Sequence, residues 1–311
     1  MTRIIYHFDQ KFPKMNHSTN TPISLGIIGG SGLYAMPGLT DVEERTIGTP
    51  FGDPSDAVII GSLPFDSAQG AKRVAFLPRH GRGHRLNPSE VPYRANIWAL
   101  KSLGITHVVS VSACGSLREH MAPRDIVVPS QLFDFTKGKR TASFFDGGVV
   151  GHVSVGEPFS KSLSNLVVHA VGAAGSSGHD RGTLITIEGP RFSTRAESMA
   201  FRAWGCDIIG MTACPEAFLA REAEMDFAIM AHVTDYDVWH EEEDPVTVEM
   251  VIERLHANLE IAQKAIVNIV AGVDALPHES AGAMKFAVMT ARERISAETK
   301  ERVKLLAGAY L

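Results

Sequence analysis

The chain has 311 residues, of which 44% are hydrophobic and 21% charged, with a formal net charge of −5. That balance suits a soluble globular protein of one large domain or two small ones, and it excludes the basic footprint of a nucleic-acid or anionic-membrane binder. Three cysteines, Cys114, Cys206 and Cys214, lie in or beside apolar runs. They fit reduced, buried thiols in a cytoplasmic protein better than a disulfide framework. No stretch reaches the length of a membrane span. Residues 1–24 are polar without an apolar signal core and read as a disordered leader.

From residue 25 short apolar runs alternate with amphipathic stretches. Strands are predicted over 25–28, 57–61, 73–77, 107–111, 125–128, 182–187, 207–210 and 227–233. Several are apolar throughout and rich in Val and Ile, as strands covered on both faces require. Helices are predicted over 93–103, 160–174, 194–204, 215–224, 246–270 and 296–309. The fifth has apolar residues at helical spacing, Pro245 before it and Gly272 after it. Alternating strands and helices imply a layered α/β sandwich, with one domain over 25–273 and a helical C-terminal extension over 274–311.

Gly30-Ser31-Gly32-Leu33-Tyr34-Ala35 fits the dinucleotide fingerprint G-x-G-x-x-A. That fingerprint needs a long helix straight after the glycines, with its N-terminus facing the pyrophosphate. Pro37-Gly38 interrupts any such helix. A Walker loop is excluded because no G-K-[ST] follows. Two readings remain, a tight turn and a small anion nest carrying the Ser31 hydroxyl.

In parallel α/β sheets ligands gather at the carboxyl ends of strands. The run ending at Leu77 leads into Arg79 and His80, and that ending at Val111 into Ser112-Ala113-Cys114-Gly115. The run ending at Ile187 leads into Glu188-Gly189-Pro190-Arg191-Phe192-Ser193. The last two lead into Met211-Thr212-Ala213-Cys214-Pro215-Glu216 and Thr234-Asp235-Tyr236-Asp237. Singly, each tip reads as a solvated charge or a strand-end hydroxyl. His80 and His84 have metal-ligand spacing but no third ligand, so no metal is expected. Taken together, Ser31, Arg79, His80, Ser112 and Thr212 form a shell suited to one phosphate dianion, and two carboxylates stand ready to receive an exocyclic amine.

The segments G-I-I-G-G-S-G-L, T-P-F-G-D-P-S-D, R-H-G-R-G-H, Y-R-A-N-I-W-A-L-K, S-A-C-G-S-L, T-I-E-G-P-R-F-S-T-R-A-E-S, M-T-A-C-P-E and T-D-Y-D-V-W occur in this order. Together they resemble the methylthioadenosine branch of the purine nucleoside phosphorylase family over about residues 25–270. The resemblance implies a three-layer α/β/α sandwich around a mixed, largely parallel sheet. It implies phosphorolysis of S-methyl-5′-thioadenosine to adenine and 5-methylthioribose 1-phosphate, in purine and methionine salvage, with inorganic phosphate as co-substrate and no cofactor. It places Ser31, Arg79, His80, Ser112, Ala113 and Thr212 on phosphate, Met211 under the ribose, and Asp235 and Asp237 at the purine. It places Phe192 near the base, Ser193 in the base-specificity loop, and Val248, Val251 and Ile252 around the methylthio group. His152 resembles a histidine that closes this pocket from a neighbouring subunit, and the resemblance implies a homotrimer or a dimer of trimers. Asp235 is the candidate general acid at N7. The alternatives are a phosphorylase for 6-oxopurine nucleosides or methylthioinosine, a non-catalytic nucleoside binder and, more distantly, an NAD-dependent oxidoreductase.

Overall fold

The computed structural model describes residues 22–30, 32–33, 35–66, 70–240 and 247–311. The first half runs β1 (Ile23–Gly29), β2 (Thr40–Arg45), β3 (Val58–Asp66), β4 (Gly70–Pro78), α1 (Tyr93–Ser102), β5 (His107–Ser116), β6 (Ile126–Val127) and β7 (Gln131–Phe135). The second runs α2 (Lys161–Ala173), β8 (Gly178–His179), β9 (Thr183–Ile187), α3 (Arg195–Ala203), β10 (Ile208–Gly210), α4 (Ala213–Glu222), β11 (Asp226–Asp235), α5 (Val248–Ala257), α6 (Leu259–Gly272) and α7 (Ala297–Ala307).

The strands join one sheet in the order β2-β3-β4-β1-β5-β10-β9-β7, while β11 also pairs with β5 and leads through β6 to β8. β1 is parallel to β4 and β5, β5 to β11, and β9 to β10 and β7. β3 is antiparallel to β2 and β4, and β10 to β5. The sheet is therefore mixed and largely parallel, as expected.

Successive strand residues point to opposite faces, so each buried strand feeds two cores. Ile27, Val109 and Met230 pack with Leu163 and Val167 of α2 and Ile266 and Ile269 of α6. Ile28, Val108 and Ile229 pack on the other face with Ile97 and Leu100 of α1, Leu219 of α4 and Val303 of α7. Each such side chain, fully buried, stabilises the fold by about 1.5–3 kcal/mol. α2 starts where Ser160 Oγ accepts from the Leu163 amide, and α3 where Thr194 and Glu197 form a capping box.

Some expectations change. The helix predicted over 246–270 is two helices, α5 and α6, divided at Asn258, whose buried side chain donates to the Arg124 carbonyl at 3.5 Å. Apolar spacing does not report such a break. β2, β7 and β8 were not predicted. β2 reads T-D-V-E-E-R with most side chains exposed, so it lacks the alternation of a half-buried strand. The segment after residue 273 feeds the core, where Met284, Ala287, Ile295, Val303 and Leu306 join Phe144 and Phe145. Among the described residues after the glycine loop the next regular element is β2, with no helix of the kind a dinucleotide loop needs. Among the described residues no helix is long and apolar enough to cross a membrane, and no group of three or more His, Cys, Asp or Glu could hold a metal ion.

Candidate active site

The tips of β4, β5, β10 and β11 meet because these strands are neighbours or near-neighbours in the sheet. Register sets their order. Ala231 of β11 lies beside Ser112, His232 beside Ala113, and Asp235 beside Gly115. At about 3.3 Å per residue, the backbone of Asp235, paired with Gly115, lies three residues, or about 10 Å, along the strand direction from Ser112. That is the reach of a nucleoside lying between a phosphate and a base-binding group.

At the phosphate end, Arg79 is 2% exposed and its guanidinium is already engaged. Nε donates to Glu216 Oε1 at 2.9 Å and Nη2 to Glu216 Oε2 at 3.0 Å. Nη2 also donates to Ser110 Oγ, and Nη1 donates to the Val111 carbonyl at 3.2 Å. The sequence shows no partner for Arg79 within the protein; the structure matches its guanidinium with a buried carboxylate. The charge state of His80, open in the sequence, follows from its surroundings. Its Nδ1–H donates to the Leu86 carbonyl at 2.8 Å, and its ring stacks on His84 with centroids 4.2 Å apart. Burial, aided by the nearby Arg79 charge, pushes it down to about 4, so the ring is neutral and Nε2 carries a lone pair. Such a ring accepts from a protonated phosphate oxygen and does not donate to it.

Thr212 is the residue preceding α4, and its hydroxyl makes no capping bond. Among the described residues the Ser112 side chain also has no hydrogen-bond partner; Ser112 and Ala113 are half-buried near the end of β5. Ser31 lies outside the described residues. The Met211 sulfur packs against Gly189, where a β-carbon would fall 2.6 Å from Sδ, and Gly189 has φ +63°. The positive φ favours glycine there, and a larger residue would also have to displace the Met211 side chain.

At the base end, Asp235 and Asp237 are buried. Asp235 Oδ2 accepts from Thr234 Oγ1 at 2.7 Å and Oδ1 from the Asp237 amide at 2.8 Å. Burial pushes the Asp235 carboxyl up, and the Thr234 hydroxyl and Asp237 amide offset this only in part. Burial likewise raises the Asp237 carboxyl. Asp237 holds φ +51°, and its Oδ2 is buried with no hydrogen-bond partner among the described residues. Buried Ser193 and half-buried Phe192 lie in the loop before α3, which Arg191 anchors by forking onto Glu197 at 2.7 and 2.6 Å. A cavity of about 110 Å³ lined by Ile187, Glu188, Gly189 and Arg191 opens beside this loop.

Two buried residues were not picked out from the sequence. Glu216 stands at a strand tip with no role assigned by the sequence, whose only signal is an acid just after Cys214-Pro215 at the start of a predicted helix. Arg140 lies in the loop after β7. It donates to the Met211 and Cys214 carbonyls at 2.6 Å each and to the Glu188 carbonyl at 2.7 Å, tying the tips of β9 and β10 together. Glu188 accepts from Ser89 Oγ and from the Lys137 amide at 2.6 Å. Burial pushes it up, but these donors and Arg140 outweigh burial and hold it below the usual carboxylate range.

The remaining expected residues are open to solvent within this chain. Val248 and Ile252 are exposed on α5 and Val251 is half-buried. α5 is tied to β11 by Arg254, which donates to the Thr234 carbonyl at 2.6 Å. His152 is exposed, and its amide donates to the Ala287 carbonyl at 2.8 Å.

The profile of the phosphorylase superfamily matches residues 24–272. The S-methyl-5′-thioadenosine phosphorylase of Chloroflexus aurantiacus is 55% identical over 288 residues, covering 92% of this chain and 98% of that protein. A crystal structure of a methylthioadenosine phosphorylase from an antarctic soil metagenomic library superposes with a TM-score of 0.86 at 45% identity, covering 92% of this chain and 99% of that one. The methylthioadenosine phosphorylase of Schistosoma mansoni in complex with adenine superposes with a TM-score of 0.77 at 36% identity, covering 84% and 97%. With a phosphorylase profile along most of its length and relatives matched nearly end to end, the chain belongs to the phosphorylase superfamily.

Proposed function

We propose that the protein is an S-methyl-5′-thioadenosine phosphorylase, a pentosyltransferase forming adenine and 5-methylthioribose 1-phosphate. The observation that carries this is the buried Asp235–Asp237 pair one nucleoside length along the sheet from Ser112. Phosphate lies among Ser31, Arg79, His80, Ser112, Ala113 and Thr212, below the sugar. As the glycosidic bond lengthens, positive charge grows on C1′ and the ring oxygen, and the phosphate dianion stabilises it before bonding to C1′. The bonding electrons leave with adenine, and protonated Asp235 gives its proton to N7. The pair of carboxylates, Asp235 with Asp237, accepts from the 6-amino group; a 6-oxo base would set acceptor against acceptor, at a cost of about 1–3 kcal/mol.

Met211 underlies the ribose, Phe192 and Ser193 flank the base, and Val248, Val251 and Ile252 cover the methylthio group. No cofactor takes part. The exposed residues call for a partner subunit. Val150, Phe286 and Met289 expose apolar surface on the segments that carry His152 and pair with it, which supports a homotrimer in which His152 reaches a neighbour's site. Three buried free thiols support a cytoplasmic setting, and the products suit purine and methionine salvage.

The test is adenine release from methylthioadenosine with and without phosphate. Phosphate-dependent release is expected. Release that ignores phosphate would make the protein a hydrolase and end the proposal.

A further inference from the structure

We propose that Glu216 is a positioning residue for phosphate. It fixes the Arg79 fork and balances its charge, so that the guanidinium presents a single N–H to the anion. This rests on the assignment of Arg79 to the phosphate site. A guanidinium carries five N–H donors. Glu216 takes two of them at 2.9 and 3.0 Å, Ser110 Oγ takes the second hydrogen of Nη2, and the Val111 carbonyl takes one from Nη1. One N–H of Nη1 remains, beside the peptide that leads into Ser112. The Ser110 hydroxyl donates in turn to Glu216 Oε2 at 2.8 Å, so the three side chains lock one another. Glu216 and Arg79 are 0% and 2% exposed, so water does not compete for either.

A second consequence concerns charge. With the pair balanced, an entering dianion meets dipoles and one directed N–H in place of a free cation. Deleting Arg79 alone leaves a buried carboxylate beside the phosphate. The loss on Arg79→Ala therefore includes repulsion from Glu216.

The test is steady-state kinetics on the full chain, with thermal unfolding in parallel. In Glu216→Gln the amide oxygen still accepts from Nε, but its NH2 faces Nη2 donor to donor. The phosphate KM should rise about tenfold, while the methylthioadenosine KM and kcat move by less. Ser110→Ala, which removes only the bridging hydroxyl, should raise the phosphate KM about threefold with little change in Tm. An interior ion pair that merely pinned β4 to α4 would lower Tm and leave the phosphate KM where it was. If both variants keep a wild-type phosphate KM while Arg79→Ala raises it, the positioning role is wrong. If Arg79→Ala also leaves it unchanged, the Arg79 assignment fails instead. Should Glu216→Gln not fold, Ser110→Ala decides alone.

Discussion

Gly115 and Asp235 face each other across β5 and β11 with no room for a methyl group between them: a β-carbon on Gly115 would fall 2.9 Å from Asp235 Oδ1. It would also fall 3.0 Å from Ile209 Cγ2 and 3.3 Å from Asp237 Cβ. Gly115→Ala should therefore move the carboxylate off the Asp237 amide. A displacement of this kind costs about tenfold or more in kcat. The phosphate KM should stay close to wild type, and an equal loss in both parameters would contradict this assignment.

A carboxyl raised by burial is protonated further up the pH scale than usual, so Asp235 as acid supports turnover below its raised pKa and fails above it. The pH profile of kcat should have an alkaline limb. Asp235→Asn should remove that limb, lower kcat on methylthioadenosine by about 10²–10⁴, and raise the relative rate on methylthioinosine. A retained limb would assign the proton to another group.

His232 lies on the parity of Ala228 and Met230, and neither of its ring nitrogens has a hydrogen-bond partner among the described residues. Burial lowers it from 6.5 to about 4. The unfolded chain takes up a proton below the normal value while the folded one does not, so stability falls as pH drops from the normal value toward the depressed one. The loss reaches about 3 kcal/mol. His232→Met should raise the denaturant midpoint, more at pH 5 than at pH 8. A smaller gain at pH 5 would show that the ring is not buried neutral.

Glu222 behaves oppositely. Burial pushes it up to about 7, although the Phe144 amide and the Ser143 hydroxyl both bond it at 2.7 Å. The folded state holds a proton that the unfolded state has released, so this contribution is full at low pH and disappears as pH rises through the raised value. Glu222→Gln should stabilise the fold at pH 8 by up to about 3 kcal/mol and by much less at pH 5. A variant less stable at both pH values would show that the charged form is needed.

Ile252 is 50% exposed on α5. Under the proposed function its side chain lies against the methylthio group. Ile252→Asn should then reduce the preference for methylthioadenosine over adenosine by about tenfold. An unchanged preference would return Ile252 to the surface.

The layered α/β order and most helices were legible in the sequence because runs such as 107–111 and 227–233 are apolar on both faces, and segments such as 194–204 carry both helical spacing and a cap. Edge strand β2 was not, since its side chains are mostly exposed and follow no alternation. The division at Asn258 was not, because an apolar stripe continues across a local break.

The ends of the strands follow the same rule. By itself the sequence determined which side chains stand at the tips, since chain order places Arg79, Ser112, Thr212 and Asp235 each just after or at the end of an apolar run. It also weighed against the dinucleotide reading, because Pro37-Gly38 interrupts the helix that the Gly30–Gly32 motif requires. Only the tertiary structure decided how those groups are charged. Arg79 meets Glu216 from a helix 137 positions away, His80 loses its charge to burial, and Asp235 is pressed against Gly115 by strand pairing. Charge state depends on solvent exclusion and on neighbours brought together across the sheet, and local composition encodes neither.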